Sequence, residues 1–345
     1  MGLQFQPTQL SDLDDIAEAL IAGFNASADA RFADRELLKW KYFERGPEWE
    51  GSRSYILRKD DIIKAHCGVW PMNLEFSGQR VTSNSFVDWI SDRNTPGAGV
   101  MLKKKLMNLT DTGVVVGGTE DTRRVVPRIG FEQVGEVVTF ARVVRPWQQY
   151  ASRPKERMLK GMVRLARNAS WSLLGKRAVP AGWRSVPVVS FGDWVTRSTG
   201  STAPTPVRTA EYLNYWLRLP RIQVSGFSIL HEDQLRGYFL LSKVGNQTRI
   251  TDVRLFLGDD TDWTTAYSLA ASQAEADADT CEILTIASTQ FSNHALTANG
   301  FRVRGTDPLF VYDPKGKLKE TDPIFLNLID GDGAYLFDPS FPYAT

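Results

Sequence analysis

Apolar residues recur at helical spacing near the start of the chain. Ser11, a residue type that favours the N-cap of helices, precedes a run whose apolar side chains return every three or four positions, so a first helix is predicted there. The apolar positions are Leu13, Ile16, Ala17, Leu20 and Ile21. The segment RELLKWKYF, residues 35–43, predicts a second helix.

The hydrophobic period then changes to that of β-strands. Residues 54–90 contain three runs rich in β-branched and aromatic side chains, with turn signals at 59–61 and 77–79, and they predict an antiparallel meander. A helix is predicted over 97–110, a short buried strand over 113–118, and a helix over 120–129 that ends at Gly130. A final strand follows.

The second half of the chain repeats this order. Its elements begin with a helix at Glu211, which parallels Glu36, and continue through three strands, a helix over 262–276, a strand over 282–288 and a helix over 291–299. The closing segments also match, with Gly130, Gly135 and Phe140 against Gly300, Gly305 and Phe310. Shared landmarks in one order predict an internal duplication. We expect a domain over 1–150 and a second domain over 207–345, with a basic amphipathic helix and linker over 151–206 that either connects them or begins the second domain.

Composition is that of an ordinary globular protein. The chain has 345 residues, which is long enough for two domains, and 42% of them are hydrophobic. Its net charge of +1 indicates no particular charged partner. Two cysteines form no disulfide framework or zinc motif, so no metal is expected. The N-terminus has no signal-peptide pattern and no apolar run is long enough to span a membrane, so we expect a cytoplasmic protein. We expect it to be a monomer or a homodimer.

Positive charge is concentrated between the two halves. Residues 151–184 contain nine lysines and arginines and one acid, and residues 154–174 predict a basic amphipathic helix with Arg157, Lys160, Arg164 and Arg167 on one face and Met158, Met162, Leu165 and Ala169 on another. This helix either packs on the domains with a solvated basic face or docks on an anionic membrane surface through 153–174. Because aromatic residues are few there, nucleic acid is not expected as a partner.

A glycine-rich segment, WISDRNTPGAGVMLKKKLM, joins the meander to the next helix at residues 89–107. Amides in the first turn of a helix have no acceptor within the helix, and the helix dipole adds partial positive charge, so such a turn binds phosphate without a basic side chain. Gly97 and Gly99 would allow close approach of the backbone. Lys103, Lys104 and Lys105 either add positive potential or form a solvated helix face.

The order of elements and this loop resemble the GNAT superfamily of N-acyltransferases. The acyl-CoA loop of that family has the form R/Q-x-x-G-x-G/A; here NTPGAG places Asn94 first, whereas the shifted register PGAGVM places Pro96 first and Met101 last, and neither has the Arg or Gln. The resemblance implies a mixed α/β (α+β) fold of two tandem GNAT-like domains, each a mostly antiparallel central sheet flanked by helices. It also implies acetyl-CoA or another acyl-CoA as co-substrate, bound by Ile90, Gly97, Ala98, Gly99, Val100 and Met101.

The second half departs from the family pattern at the corresponding loop. Its sequence there, FLGDDTDW, contains Asp259, Asp260 and Asp262, which would repel a pyrophosphate. We therefore expect the second domain to be degenerate and the co-substrate to bind the first.

The family's chemistry implies candidate residues in the first half. In the GNAT fold, a backbone amide at a bulge late in the fourth strand polarises the thioester carbonyl, and the matching positions are 89–91. Many members use a tyrosine as general acid, but Val126 and Leu296 stand at the two matching positions. The catalytic candidates are Asp88, Glu120 and Ser91, and the substrate-contacting candidates are Trp70, Trp89 and His66.

Each candidate also has a structural interpretation. Asp88 could bond neighbouring backbone, Glu120 could cap a helix, and His66 and the two tryptophans could belong to the core. As a base, Asp88 would need burial among the residues of FVDWI to raise its pKa. Cys67 is not needed as a nucleophile, because the amine can attack the thioester directly.

These observations predict an acyl-CoA-dependent N-acyltransferase that acts on a small amine or amino sugar. Two alternatives remain open. One is a Fem-like transferase that uses aminoacyl-tRNA, a class that also has tandem GNAT-like domains. The other is a non-catalytic acyl-CoA-binding module.

Overall fold

The first half of the chain contains every element that its periodicity predicts. A computed structural model describes residues 2–44, 46, 49–153, 158–173, 177–197, 202–319, 321–338 and 342–345. The first-half elements are β1 (Gln4–Pro7), α1 (Leu13–Phe24), α2 (Arg35–Tyr42), β2 (Ser54–Lys59), β3 (Ile62–Pro71), β4 (Leu74–Phe76), β5 (Gln79–Val81), β6 (Ser83–Ser91), α3 (Ala98–Leu106), β7 (Thr112–Val116), α4 (Glu120–Val125) and β8 (Glu132–Val143). The predicted turn at 77–79 closes the short hairpin β4–β5, which lies outside the main sheet.

The second half follows the same order after a connecting region. Its elements are α5 (Pro146–Ala151), α6 (Met158–Leu173), β9 (Trp183–Val188), β10 (Thr205–Pro206), α7 (Ala210–Trp216), β11 (Gln223–His231), β12 (Gln234–Val244), β13 (Gln247–Leu255), α8 (Asp260–Ala276), β14 (Glu282–Ala287), α9 (Gln290–Ala298) and β15 (Arg302–Tyr312). Strand β9 was not predicted. It lies within 151–206 and pairs with β11 of the second half.

The two halves share one sheet. Twelve strands run in the order β1-β2-β3-β6-β7-β15-β8-β14-β13-β12-β11-β9, and β10 joins β4 and β5 in a small second sheet. Among the described strands of the large sheet, only the pairs β6–β7 and β13–β14 are parallel. The mixed α/β fold with a mostly antiparallel sheet is therefore confirmed. The sheets expected for the two halves are joined into one, because β8 and β15 each lie beside the other half's strands.

The exchanged strands pair as a two-fold relation requires. Val137 lies two residues after Gly135 and Asp307 two residues after Gly305, and Val137 and Asp307 are direct partners in the β8–β15 ladder. Helices α2 and α7 meet in the same way, because Trp40 and Tyr215, each four residues after its matching glutamate, stack with ring centroids 4.4 Å apart. Equivalent residues in mutual contact support the duplication; the domain boundaries stay a prediction.

Helices cover both faces of the first half of the sheet. Ile16, Ala17 and Leu20 of α1 pack with α2 and Ile90 on one face. Leu102 of α3 packs with Val126 and Phe86 on the other. No helix within the described ranges is long and apolar enough to cross a membrane.

Candidate active site

Strand β6 contains a β-bulge at the position where the family's carbonyl-binding amide is expected. His66 pairs with Ile90 and Gly68 pairs with Val87, so Asp88 and Trp89 together face the single residue Cys67. Asp88 takes up the extra length with φ of 50°, in the left-handed region. Bulges redirect side chains, and here Asp88 points towards α2 while Trp89 packs on the α3 side.

His66 supports this bulge from within the core. Its Nδ1 lies 3.0 Å from the carbonyl oxygen of Asp88, and its Nε2 lies 2.8 Å from the hydroxyl of Ser54. A carbonyl only accepts, so Nδ1 donates and Nε2 accepts from the hydroxyl. Burial lowers the pKa of His66 to about 4, so the ring is neutral. Since both nitrogens are engaged in a fully buried ring, we assign His66 to structural support and not to substrate contact.

Asp88 is held in a buried ion pair. Its carboxylate accepts from the ammonium of Lys41 at 2.5 Å and from the hydroxyl of Tyr42, and all three side chains are buried. Burial alone would raise the pKa of Asp88, but the charge and hydrogen bond of Lys41 and the bond from Tyr42 outweigh burial and lower it. The expectation of a raised pKa is wrong, because the partner on α2 could not be seen from the neighbouring sequence.

A cavity of about 570 Å³ opens where β6 and β7 separate. The two strands pair only from Ser83 to Ser85, opposite 112–114, and then part. The cavity is lined by Trp89 and Lys103 from the α3 side of the sheet and by Phe24, Asp88 and residues 326–328 and 330–333 from the α1 side. It therefore passes through the sheet, so that ligands could approach a shared reaction point from opposite faces.

The glycine-rich loop starts α3 beside this cavity. Gly97, with φ of 82°, is the N-cap and brings no side chain to the first-turn amides. Ser91 and Trp89 hold the loop, because the Ser91 hydroxyl accepts from the Gly99 amide at 3.3 Å and Trp89 Nε1 donates to the Gly99 carbonyl at 3.0 Å. A Cβ at Gly99 would lie 2.9 Å from that of Ser91, so the turn requires glycine there.

An open groove of about 610 Å³ runs along the outer side of α3. It is lined by Gly97, Val100, Met101, Lys104, Lys105 and Asn108. Lys104 and Lys105 are exposed, as a solvated helix face would be. The groove therefore combines first-turn backbone amides with two ammonium groups.

The matching helix of the second half has its N-terminus already occupied. The carboxylate of Asp259 accepts from the amides of Thr261 and Asp262 at 2.8 and 2.9 Å. A carboxylate on these amides takes the place that a phosphate oxygen would need. The two termini therefore differ: a carboxylate fills that of α8, whereas at α3 Gly97 brings no side chain and the neutral Ser91 hydroxyl holds the Gly99 amide.

Lys103 differs from the two lysines that follow it, because it is only 1% exposed. Its ammonium lies 3.6 Å from the ring centre of Phe86, 4.9 Å from that of Trp89 and 5.6 Å from that of Phe131. The described residues provide no ion pair for it. Burial lowers its pKa to about 8. A charged side chain inside an apolar cluster and on the cavity wall was not predicted, since helical spacing alone does not distinguish it from its neighbours.

The remaining candidates lie outside the cavity, and one unpredicted acid lies on its wall. Trp70 belongs to the aromatic core, and Glu120 is an exposed acid in the first turn of α4. Asp332, near the other end of the chain, lines the cavity. Burial raises the pKa of Asp332; the charge of Lys41 opposes this shift and the charge of Asp88 adds to it. No sequence signal marked it.

Two further observations concern other chemistry. Burial raises the pKa of Cys67 to about 11, which fits the expectation that it is not a nucleophile. Within the ranges that the structure describes, no group of three or more His, Cys, Asp or Glu side chains could hold a metal ion.

The chain is similar to known proteins in structure. No protein-family model and no curated protein matches the chain. A GCN5-related N-acetyltransferase from Anabaena variabilis superposes with a TM-score of 0.59 at 12% identity, over 90% of this chain and 72% of that one. One from Kribbella flavida gives 0.50 at 13% identity, over 90% and 71%. Saccharomyces cerevisiae N-myristoyltransferase with bound myristoyl-CoA gives 0.58 at 12% identity, over 90% and 82%. The chain therefore has the fold of the GCN5-related N-acetyltransferases.

Proposed function

We propose that the protein is an acyl-CoA-dependent N-acyltransferase that acts on a small amine or amino sugar, with acetyl-CoA as the first acyl donor to test. The observation that carries this proposal is the through-sheet cavity between β6 and β7, whose wall residue Trp89 donates a hydrogen bond to the Gly99 carbonyl in the first turn of α3. The fold shared with acyltransferases supports it. The corresponding N-terminus of α8 is filled by Asp259, so the co-substrate is assigned to the first half.

The loop and α3 bind the CoA end of the co-substrate in this proposal. The amides at Gly97 and Val100 face the pyrophosphate, and Gly99 keeps the turn closed against Ser91. Lys104 and Lys105 on the adjoining groove attract the 3′-phosphate. The Ser91 side chain therefore positions the loop, and only the backbone amide of Ser91 is available for the chemical step.

The acceptor enters from the α1 side and meets the thioester at the bulge. Amides of residues 89–91 donate to the carbonyl oxygen as negative charge develops on it. The amine nitrogen forms the new C–N bond, and its proton passes to a base on the acceptor side. We assign that role to Asp332, because a carboxyl with a raised pKa accepts a proton more readily than the ion-paired Asp88.

Lys103 is assigned as the acid for the leaving group. The C–S bond breaks, and the Lys103 ammonium on the α3 side donates a proton to the thiolate. Its surroundings include Phe86 and Phe131, which also pack in the cluster that contains Val126, the position of the family's tyrosine. A buried lysine with a pKa of about 8 is a suitable donor near neutral pH.

The test is calorimetry with acetyl-CoA on a pair of variants at Gly97. Gly97→Asp introduces a carboxylate beside the first-turn amides, where it repels a phosphate, and Gly97→Asn introduces the same shape without charge. Both residue types tolerate the left-handed conformation required there. We expect Asp to weaken binding by more than about tenfold, which corresponds to about 1.4 kcal/mol, and Asn to weaken it much less. Equal binding by both variants, or no binding by the wild type, would refute the proposal.

The two alternative functions predict different results in the same preparation. A non-catalytic acyl-CoA-binding module would bind acetyl-CoA and acylate no member of a panel of amines and amino sugars. A Fem-like transferase would bind charged tRNA in a gel-shift experiment. Its activity would not depend on acetyl-CoA binding at the α3 amides.

A further inference from the structure

Helix α6 exposes apolar side chains along its whole length. Leu159 is 77% exposed, Val163 64% and Leu173 84%, and Met162 is also exposed. Together with the exposed Ala166 and Ser170, they follow spacings of three and four residues, which places them on one stripe. A helix of sixteen residues is about 24 Å long. The exposed apolar side chains therefore form an extended stripe and are not the isolated hydrophobic residues that are normal on a protein surface.

The opposite side of α6 anchors it to the protein. Gly161 and Asn168 are buried, and the Asn168 amide donates to Gln149 of α5 at 2.7 Å. Leu165 is half-buried. Met162, on the predicted apolar face of Met158, Met162, Leu165 and Ala169, is exposed; 154–157 and 174 lie outside the described residues, and the Met158 side chain is not described.

Cations flank the stripe. Lys160, Arg164 and Arg167 follow one another at four and three residues along the side of α6, and residues 158–173 contain no acid. Arg167 lies over the ring of Trp171 at 4.4 Å, and Arg304 approaches the same ring. Burial and the nearby charges of Arg304 and Arg164 lower the pKa of Arg167, which indicates a locally cationic surface.

We propose that α6 docks this protein on an anionic phospholipid surface, with Leu159, Met162, Val163 and Leu173 entering the interface and Lys160, Arg164 and Arg167 facing the headgroups. An apolar stripe beside cations, on a helix too polar to span a bilayer, is the pattern of an interfacial helix. Charge complementarity selects the lipid.

Two other occupants fit less well. In a symmetric dimer the same patch meets itself, so a second copy on this stripe would bring two sets of like charges together. A nucleic acid would pair with the cations but leave the apolar side chains uncovered. Trp171, the aromatic residue of α6, already packs under Arg167 and so does not offer a free ring for base stacking.

The test is co-sedimentation of the full chain with vesicles of phosphatidylcholine alone and of phosphatidylcholine mixed with phosphatidylglycerol. Each cation near an anionic surface contributes about fivefold in affinity, so the three cations predict roughly a hundredfold preference for the anionic vesicles, which is lost at high salt. Binding that is equal on both vesicles, or absent, would overturn the proposal.

Matched variants connect the binding to α6. Val163→Asp places a charge in the stripe, and Val189→Asp makes the same change at a residue that is 98% exposed elsewhere. We expect Val163→Asp to weaken sedimentation at least tenfold and Val189→Asp to leave it unchanged, with acetyl-CoA calorimetry on both as the check of folding. Lys160→Glu and Lys59→Glu repeat the comparison for charge.

Equal losses in the stripe variant and its control would overturn the assignment to α6. Sedimentation velocity separates the rival occupant: a dimer that Val163→Asp dissociates would show that a second copy covers the stripe, and the lipid proposal would be wrong.

Discussion

Replacing Lys103 by methionine should stabilise the protein while it slows the reaction. Methionine keeps the unbranched stem that lies against Phe86 and removes the charge from an apolar cluster. The fall in pKa from 10.5 to about 8 corresponds to about 3 kcal/mol of unfavourable free energy for the charged side chain in the folded protein at neutral pH. We therefore expect Lys103→Met to raise the free energy of unfolding by up to about 3 kcal/mol below pH 8.

The pH dependence tests the same reasoning. The folded state holds the Lys103 proton less tightly than the unfolded state, so between pH 8 and 10.5 the unfolded chain binds more protons and the wild type gains stability as pH rises. The advantage of Lys103→Met should therefore be full below pH 8 and shrink towards 10.5. Urea unfolding at a series of pH values measures it, and Lys104→Met, at an exposed neighbour, should show no such change.

Turnover distinguishes the role of Lys103 in the reaction from its cost to stability. If Lys103 protonates the thiolate, Lys103→Met should lower kcat for acetyl-CoA and remove the fall in rate above pH 8, while acetyl-CoA still binds. A less stable variant, or a stability difference that stays constant with pH, would refute the burial argument. Unchanged kcat in a stabilised variant would refute the catalytic assignment.

Other substitutions separate structural residues from reacting ones. Lys41→Met leaves Asp88 without its buried partner and should cost about 3–5 kcal/mol in urea unfolding, with less loss when Asp88→Asn is added; an additive double variant would contradict the pairing. Because pairing lowers the pKa of Asp88, its stabilisation should be lost as pH falls below about 3.9. Asp332→Asn should reduce kcat and retain acetyl-CoA binding in calorimetry, whereas loss of both would indicate a structural role. Asp259→Ala should lower thermal stability by about 1 kcal/mol through loss of the α8 cap and leave kcat unchanged. Cys67→Ala should keep full activity, and a large loss of kcat with normal folding would contradict its exclusion.

The order of elements could be read from the sequence because periodicity is a local property. Side chains that alternate or return every three to four residues report which face of an element is buried, and this predicted α1, α2, the meander and the repeated order of the second half. The glycine-rich turn and the acids at 259–262 are equally local. Their contrast therefore identified the half of the chain to which the co-substrate is assigned.

Periodicity does not say which element covers a buried face. The exchange of β8 and β15 joins the predicted domains into one sheet, and nothing within either strand distinguishes a neighbour in its own half from one in the other. Only the tertiary structure decided this, because strand pairing depends on backbone geometry that both partners offer equally.

The ionisation of the site was decided in the same way. A pKa depends on partners that are distant in sequence: Lys41 reaches Asp88 from α2, and Asp332 arrives from the last residues of the chain. Lys103 differs from Lys104 and Lys105 because successive side chains of a helix point in different directions, and that of Lys103 points into the aromatic cluster. The sequence by itself therefore determined the elements and the loop, whereas folding decided which charges are paired, which are buried and which face the cavity, because those energies come from contacts between distant segments.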